Sequence, residues 1–263
     1  MNILLMLFLI VPKSIANINL LTGGLEYRVE DQFFGGVLGR TFFSRSLHKG
    51  ILGKGWCSDL EIEINVEDKV VQCHGSIVSE YKRGKLKSNE KGYSWLFEGG
   101  VLEFDKKRKL IRLEKRGTLL IVSRSPFGQA VSLVTKKGFF DLSYTSDGLL
   151  ARITHKSREV MDWEYHDDLL IRAGKNSYNY DAFDNLIQSD SHRWLYDELD
   201  RVVLVTSAGC IENYRWLSSA KNREEVIVYR RCGRKSQEKH ISFIFREETI
   251  QTVVNDTSSG GAS

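Results

Sequence analysis

Proline is nearly missing from this 263-residue chain, which has only Pro12 and Pro126. That scarcity excludes Pro-rich and collagen-like classes. With hydrophobic content of 41% and aromatic content of 11%, it also excludes a mostly disordered chain. A chain of this length can bury a real core, as one large domain or two small ones. Long apolar runs are just as scarce. The exception, "ILLMLFLIV" (Ile3–Val11), falls well short of the roughly 20 residues that span a bilayer. Pro12-Lys13 and then Ser14-Ile15-Ala16 follow it, with small residues three and one before a break. This is the layout of a secretory signal peptide cleaved after Ala16. The expectation is an exported protein, periplasmic, cell-surface or secreted, with no membrane span once residues 1–16 are removed.

Concentrated charge is also lacking. The formal net charge is +4, with acidic and basic residues interleaved. Only "YRRCGRK" (Tyr229–Lys235) hints at a concentrated basic face. A nucleic-acid binder shows a broad basic face, so this run reads as a solvated strand end and no nucleic-acid partner is expected. The six histidines are dispersed, and HExxH, Gly-x-Ser-x-Gly and a phosphate-cradling Gly-Lys-Ser/Thr loop are all absent. No cofactor is implied. CxxC spacing is missing too, which argues against a zinc site.

The four cysteines, Cys57, Cys73, Cys210 and Cys232, are an even count suited to an oxidising compartment. Suppose "CIENYRWL" and "EVIVYRRC" form a hairpin that sets Leu217 across from Glu225. Cys210 then falls directly across from Cys232, within disulfide reach. Cys57 and Cys73 cannot pair in that way, because their midpoint lies inside an alternating strand, but neighbouring strands can still bring them together.

What the chain does have is alternation. "LEIEINV" puts Leu60, Ile62, Ile64 and Val66 on one face and charges on the other. Short strands follow, broken at "KRGK", "EGG", "DKKRK", "KRG", "SPFGQ" and "KKG". Each break holds residues that suit tight turns. No long amphipathic helix is visible. The fold class is all-β, a succession of antiparallel hairpins. Within it "YDAFDNLI" (Tyr180–Ile187) and "YDELDRVV" (Tyr196–Val203) align residue for residue, and "YTSDGLL" (from Tyr144) and "YHDDLLI" (from Tyr165) are looser copies. Each copy describes a hairpin. The tyrosine ends a strand, an acidic residue such as Asp181 or Asp197 caps the turn, and Asp184 or Asp200 takes the left-handed position. Aliphatics then begin the next strand. On this reading the carboxylates, the pair Asp167-Asp168 included, shape turns and do not act as general acid and base.

These copies resemble the YD repeats of the RHS family. "RTFFSRSLHKGILGKGW" resembles that family's leading segment, through Arg40, Phe42 or Phe43, Ser44, Gly50, Leu52, Gly53, Gly55 and Trp56. The resemblance implies a ribbon of hairpins wound into a curved or spiralling shell, which encloses a C-terminal toxin in large members and serves adhesion in animal relatives. This chain is too short for a large cocoon, and it lacks the proline-bearing release motif, since no proline follows Pro126. The expected organisation is a leader at 1–16, a hairpin region at 17–140, repeats at 141–217, capping strands at 218–254 and a floppy tail at 255–263. The expected function is a non-catalytic scaffold or partial-shell module that binds a protein or glycan, with Trp163, Trp194 and Trp216 as candidate sugar-stacking rings. Open strand edges also suit an oligomer or a partner chain that completes the sheet. The alternatives are a small secreted toxin with activity near His240, Arg230, Arg231 and Glu247, and a remnant of a larger shell.

Overall fold

The computed structural model describes residues 13–33, 36–72, 76–77, 81, 83–115, 117–156, 158–217, 223–246 and 249–257. Over these residues the protein is all-β, with 27 strands, a short 3-10 turn at Asp59–Glu61 and no α-helix. Among the described residues no helix is long and apolar enough to cross a membrane. The proposed leader lies outside the described residues apart from its end, where the expected cleavage after Ala16 falls within the strand Lys13–Ile18. At the other terminus the strand Thr249–Thr257 runs into the expected tail.

The chain divides into two compact units. One includes Tyr27–Phe42 and Ser46–Gly174; the other holds Ala16–Glu26, Phe43–Arg45 and the residues from Lys175 onward. In the first unit, ten strands from Gly84–Asn89 to Leu169–Ala173 pair in sequence order, each antiparallel to the next. In the second, the same antiparallel order runs from Asn176–Tyr180 to Thr249–Thr257. Alternate residues fill the core, as in Leu120 and Val122 around the exposed Ile121. The "LEIEINV" face is shorter than its alternation suggests. Leu60, Ile62 and Ile64 are buried, but Val66 is 95% exposed, because Asn65 ends the strand and starts a turn.

That turn is one of six among the described residues built to a single plan. In the five-residue corners starting at Asn65, Asp105, Ser125, Thr145, Asp181 and Asp197, the first residue's N–H donates to the fifth residue's carbonyl. The fourth residue's N–H donates to the first residue's carbonyl, all at 2.8–3.2 Å. The fourth position is left-handed throughout: Asp68, Arg108, Gly128, Gly148, Asp184 and Asp200 have φ between +56° and +87°. The first side chain completes the corner. Asp181 Oδ1 accepts from the N–H groups of Phe183 and Asn185, both at 2.9 Å, and Asp197 Oδ1 accepts from those of Leu199 and Arg201 at 3.0 Å. Asn65 and Asp105 cap their corners in the same way, and Thr145 does so through its hydroxyl. Asp, Asn and Thr each bring an oxygen on a short side chain within reach of these N–H groups, whereas the Ser125 hydroxyl is buried without a hydrogen-bond partner and its corner rests on the two backbone bonds.

The residue before each corner pairs with the residue after it, and in the ladders a register shift at that point opens a bulge. The next strand-ending side chain reaches back to the carbonyl of that following residue. Tyr144 Oη donates to Ala130 O (2.6 Å), Tyr165 Oη to Leu150 O (2.7 Å) and Tyr196 Oη to Leu186 O (2.9 Å). Arg124 Nε reaches Leu110 O (3.0 Å) and Trp216 Nε1 reaches Val202 O (2.9 Å) in the same geometry. The strand-ending residue therefore staples one corner to the next. The Tyr165 copy departs from the plan at its turn. Asp167 (φ +47°) and Asp168 (φ +67°) form a two-residue hairpin of the doubly left-handed kind, pairing His166 with Leu169.

Burial raises the phenol pKa at two of these staples, up to about 12 for Tyr144 and further for Tyr196, and it does the same for Tyr81 and Tyr214. A raised pKa favours the protonated phenol in the fold. The stability it contributes is present below pH 10, the unfolded value, and is lost as the pH rises from about 10 through 12. Spectrophotometric titration is expected to show a late tyrosinate step that coincides with loss of the β circular-dichroism signal. Tyrosines titrating early, with the fold intact, would contradict the staples.

Candidate functional site

The stretch Gly50–Ser58 is a clasp on the ends of hairpins in the first unit. The two-stranded turn pairs Gly50 with Gly53 and buries Leu52 completely. Ile51 O accepts from Leu150 N at 2.7 Å, just after the third ladder corner. Lys54 N donates to Asp168 O at 2.9 Å, and Lys49 Nζ lies 2.8 Å from Asp168 Oδ2. Gly53 has φ +87°, and a Cβ there would stand 2.2 Å from Asp168 O. The chain then runs on past earlier corners. Leu60 O accepts from Arg124 Nη2 at 2.7 Å, Ile64 N donates to Arg108 O at 3.1 Å, and Glu63 pairs with Lys109. In the second unit, separately, Gly23 O accepts from Val202 N at 2.9 Å and Arg45 donates to Leu199 O.

Beneath the first clasp lies a charged core. Trp56 and Arg40 are fully buried, and the Arg40 guanidinium lies 5.1 Å from the indole centroid. Phe42 and Tyr27 flank the indole at 5.4 and 6.3 Å. Arg40 pairs through Nε and Nη2 with the buried Asp31. Beside them Arg28 makes a bidentate pair with Asp59, which also accepts from Gly39 N at 2.8 Å. The Asp59 carboxylate raises the Arg28 pKa despite burial. Ser44 Oγ, in the second unit, accepts from Leu25 N at 2.9 Å. Every polar member of the leading segment thus meets a structural partner.

A cleft of about 150 Å³ in the first unit is lined by residues including His48, Glu61, Glu63, Lys109 and Arg124. Its groups are committed. Glu61 accepts from Ser58 N (2.8 Å) and Ile51 N (3.1 Å) and lies 3.4 Å from His48 Nε2. Arg124 donates to Leu60, Gly128 and Leu110 carbonyls, and burial lowers its pKa. Glu61 held by backbone amides, Glu63 paired with Lys109 and the Arg124 guanidinium spread over three carbonyls keep the clasp in place. Among the described residues no group of three or more His, Cys, Asp or Glu side chains is placed to hold a metal ion.

The cysteine expectation is met where it can be read. Cys210 and Cys232 are directly opposed and bonded, with Cα atoms 4.1 Å apart. Cys57 is also disulfide-bonded, and Cys73 lies outside the described residues. The Cys210–Cys232 bond ties two neighbouring hairpin tips, where Gly233 N donates to Gly209 O at 3.1 Å. It closes a span of 22 residues, so the Cys210→Ser/Cys232→Ser pair is expected to cost about 3 kcal/mol, read as a lower urea midpoint. A midpoint unchanged by the substitutions would sink that expectation.

The sugar-stacking expectation is corrected for two of three tryptophans. Trp163 and Trp194 are 4% and 1% exposed, because alternation turns them into the core, and neither offers a face to a ligand. Trp216 is half-buried, stapled to Val202 O and covered by the Arg201 guanidinium at 5.5 Å. His240 stands 3.3 Å from Glu225 across the strand pair, while Glu247 lies outside the described residues. Asp31, Asp59, Arg28 and Glu61 carry much of the buried chemistry and escaped the sequence reading. No protein-family model matches the chain, and no curated protein matches its sequence.

Proposed function

We propose that the protein is an exported, non-catalytic β-ribbon module of the RHS/YD-repeat type, a partial shell that binds a protein or glycan partner. The observation that carries this reading is the corner plan. Five of the six turns spend their first side chain, Asn65, Asp105, Thr145, Asp181 or Asp197, on backbone N–H groups, and strand-ending tyrosines are spent on backbone carbonyls. Side chains used this way build a repeat and perform no reaction. The hairpin ladders supply broad surfaces, and among the described residues the strands Gly84–Asn89 and Thr249–Thr257 each pair on one side only, features that suit a scaffold. The oxidised cysteines are compatible with export.

The test uses the affinity-tagged full chain against native envelope or secreted fractions, with cross-linking and titration. A saturable, stoichiometric complex with one protein or glycan that His240→Ala leaves intact is the expected result. A hydrolytic or cell-killing activity of the purified chain, abolished by His240→Ala, would overturn it in favour of a small toxin.

A further inference from the structure

The corner plan fixes positions one and four, while positions two and three face solvent and have no structural need of apolar side chains. Yet Phe127 is 98% exposed, Phe183 81% and Leu199 63%. Each sits at the third position of its corner. A fully solvated phenylalanine on a turn adds nothing to the fold and is a candidate contact.

The surroundings of these tips differ in charge. In the first unit the corner carrying Phe127 adjoins the corner carrying Lys106 and Lys107, and the two are tied by Lys107 Nζ to Pro126 O at 3.3 Å. Both lysines are exposed. In the second unit the corners carrying Phe183 and Leu199 are tied by Asn185, whose Nδ2 donates to Asp181 Oδ2 (3.2 Å) and Asp200 Oδ1 (2.9 Å). Those two corners hold five carboxylates, Asp181, Asp184, Asp197, Glu198 and Asp200. The guanidinium of Arg201, paired with Asp197, and that of Arg45 on Leu199 O offset part of this charge. One surface is therefore apolar with two lysines along one side, and the other apolar with an anionic rim.

We propose that these two surfaces dock on each other between copies of the chain, Phe127 of one copy seating beside Phe183 and Leu199 of the next, with Lys106 and Lys107 facing Glu198 and Asp200. This deepens the binding-module reading by naming a partner, a second copy, while resting on corner chemistry alone. The contact joins two different patches, so it is head-to-tail and builds short chains or rings in place of a two-fold dimer. Turn tips bury little area, so the association is weak, with Kd on the order of 10–100 µM. Its exposed charges are screened by salt.

Sedimentation velocity of the purified full chain over about 10–500 µM tests the proposal without any other component, so it stands or falls apart from the search for an external partner. The parent is expected to self-associate, several-fold more weakly in 500 mM than in 50 mM NaCl. Phe127→Ser alone and Phe183→Ser/Leu199→Ser alone are each expected to be monomeric. An equimolar mixture of the two variants is expected to form a 1:1 dimer and nothing larger, since one intact surface of each kind remains. Lys106→Glu/Lys107→Glu is expected to lose association, and this variant leaves the exposed aromatic in place should the serine variants fold poorly. A parent that stays monomeric throughout, variants that associate like the parent, or a mixture that remains monomeric would each overturn the proposal.

Discussion

Replacing Arg40 with leucine is expected to destabilise the protein by about 3–5 kcal/mol, read as a lower midpoint in urea unfolding at neutral pH. Arg40 is fully buried and Asp31 is 4% exposed, so removing the guanidinium strands a carboxylate in the core. The cation also rests on the Trp56 ring, 5.1 Å from its centroid, and that contact is lost as well. Leucine restores apolar volume but no charge. The two effects separate in a second variant. Arg40→Leu with Asp31→Leu removes the stranded carboxylate and is expected to recover a large part of the loss, because a buried ion pair is far costlier to halve than to replace. The remaining deficit reports the lost ring contact and the N–H···O bonds. A single-variant loss under about 1 kcal/mol would mean that Asp31 stays hydrated in solution, contrary to its burial here.

The fold class and the role of the repeats were legible because the local physics is short-range. Alternation marks strands, and Asp181 and Asp197 announce their turns by lying in near-identical copies 16 residues apart. The opposition of Cys210 and Cys232 followed from counting across one hairpin. The first unit's corners were harder to see. Asp105, Ser125 and Thr145 stand 20 residues apart with Arg108, Gly128 and Gly148 at the fourth position. The plan asks only for a short side-chain oxygen and a backbone able to turn left-handed, so different residues satisfy it and residue identity hides the period. Spacing alone held the signal. Phe104, Arg124 and Tyr144 end the strands before these corners, so a search for Tyr-Asp missed two of the three.

The ion pairs under the clasp lie beyond sequence reading for a different reason. Asp31 with Arg40, and Arg28 with Asp59, join residues nine and 31 apart through tertiary packing. An interleaved charge pattern looks the same whether its members are solvated or buried. The tryptophans illustrate a similar limit. Trp163 and Trp194 alternate correctly within their strands, but which of the two faces is the core is decided by what packs against it.

The glycines of the clasp lead to the second large prediction, a contrast between two glycines with nearly the same backbone. Gly53 has φ +87° and Gly148 φ +81°, so alanine at either adopts a left-handed conformation, at a cost of about 1–2 kcal/mol. Their surroundings differ. A Cβ at Gly148 meets nothing within 4 Å, whereas at Gly53 it would stand 2.2 Å from the Asp168 carbonyl oxygen. That oxygen belongs to the backbone of a tight hairpin and accepts from Lys54 N, so it cannot rotate aside as a side chain would. Relief requires the clasp to lift away from the hairpin, which gives up the Lys54 bond, the Lys49–Asp168 pair and the seat of Leu52. Gly53→Ala is therefore expected to cost about 3–4 kcal/mol, strain and overpacking together, and Gly148→Ala about 1 kcal/mol. Gly148→Asp is expected to be milder still, since Asp184 and Asp200 already occupy this position in other corners at φ +65° and +56°. Urea midpoints of the three variants give the comparison directly. Equal losses for Gly53→Ala and Gly148→Ala would show that backbone conformation alone sets the requirement for glycine, and that the clasp does not close on the hairpin at Asp168.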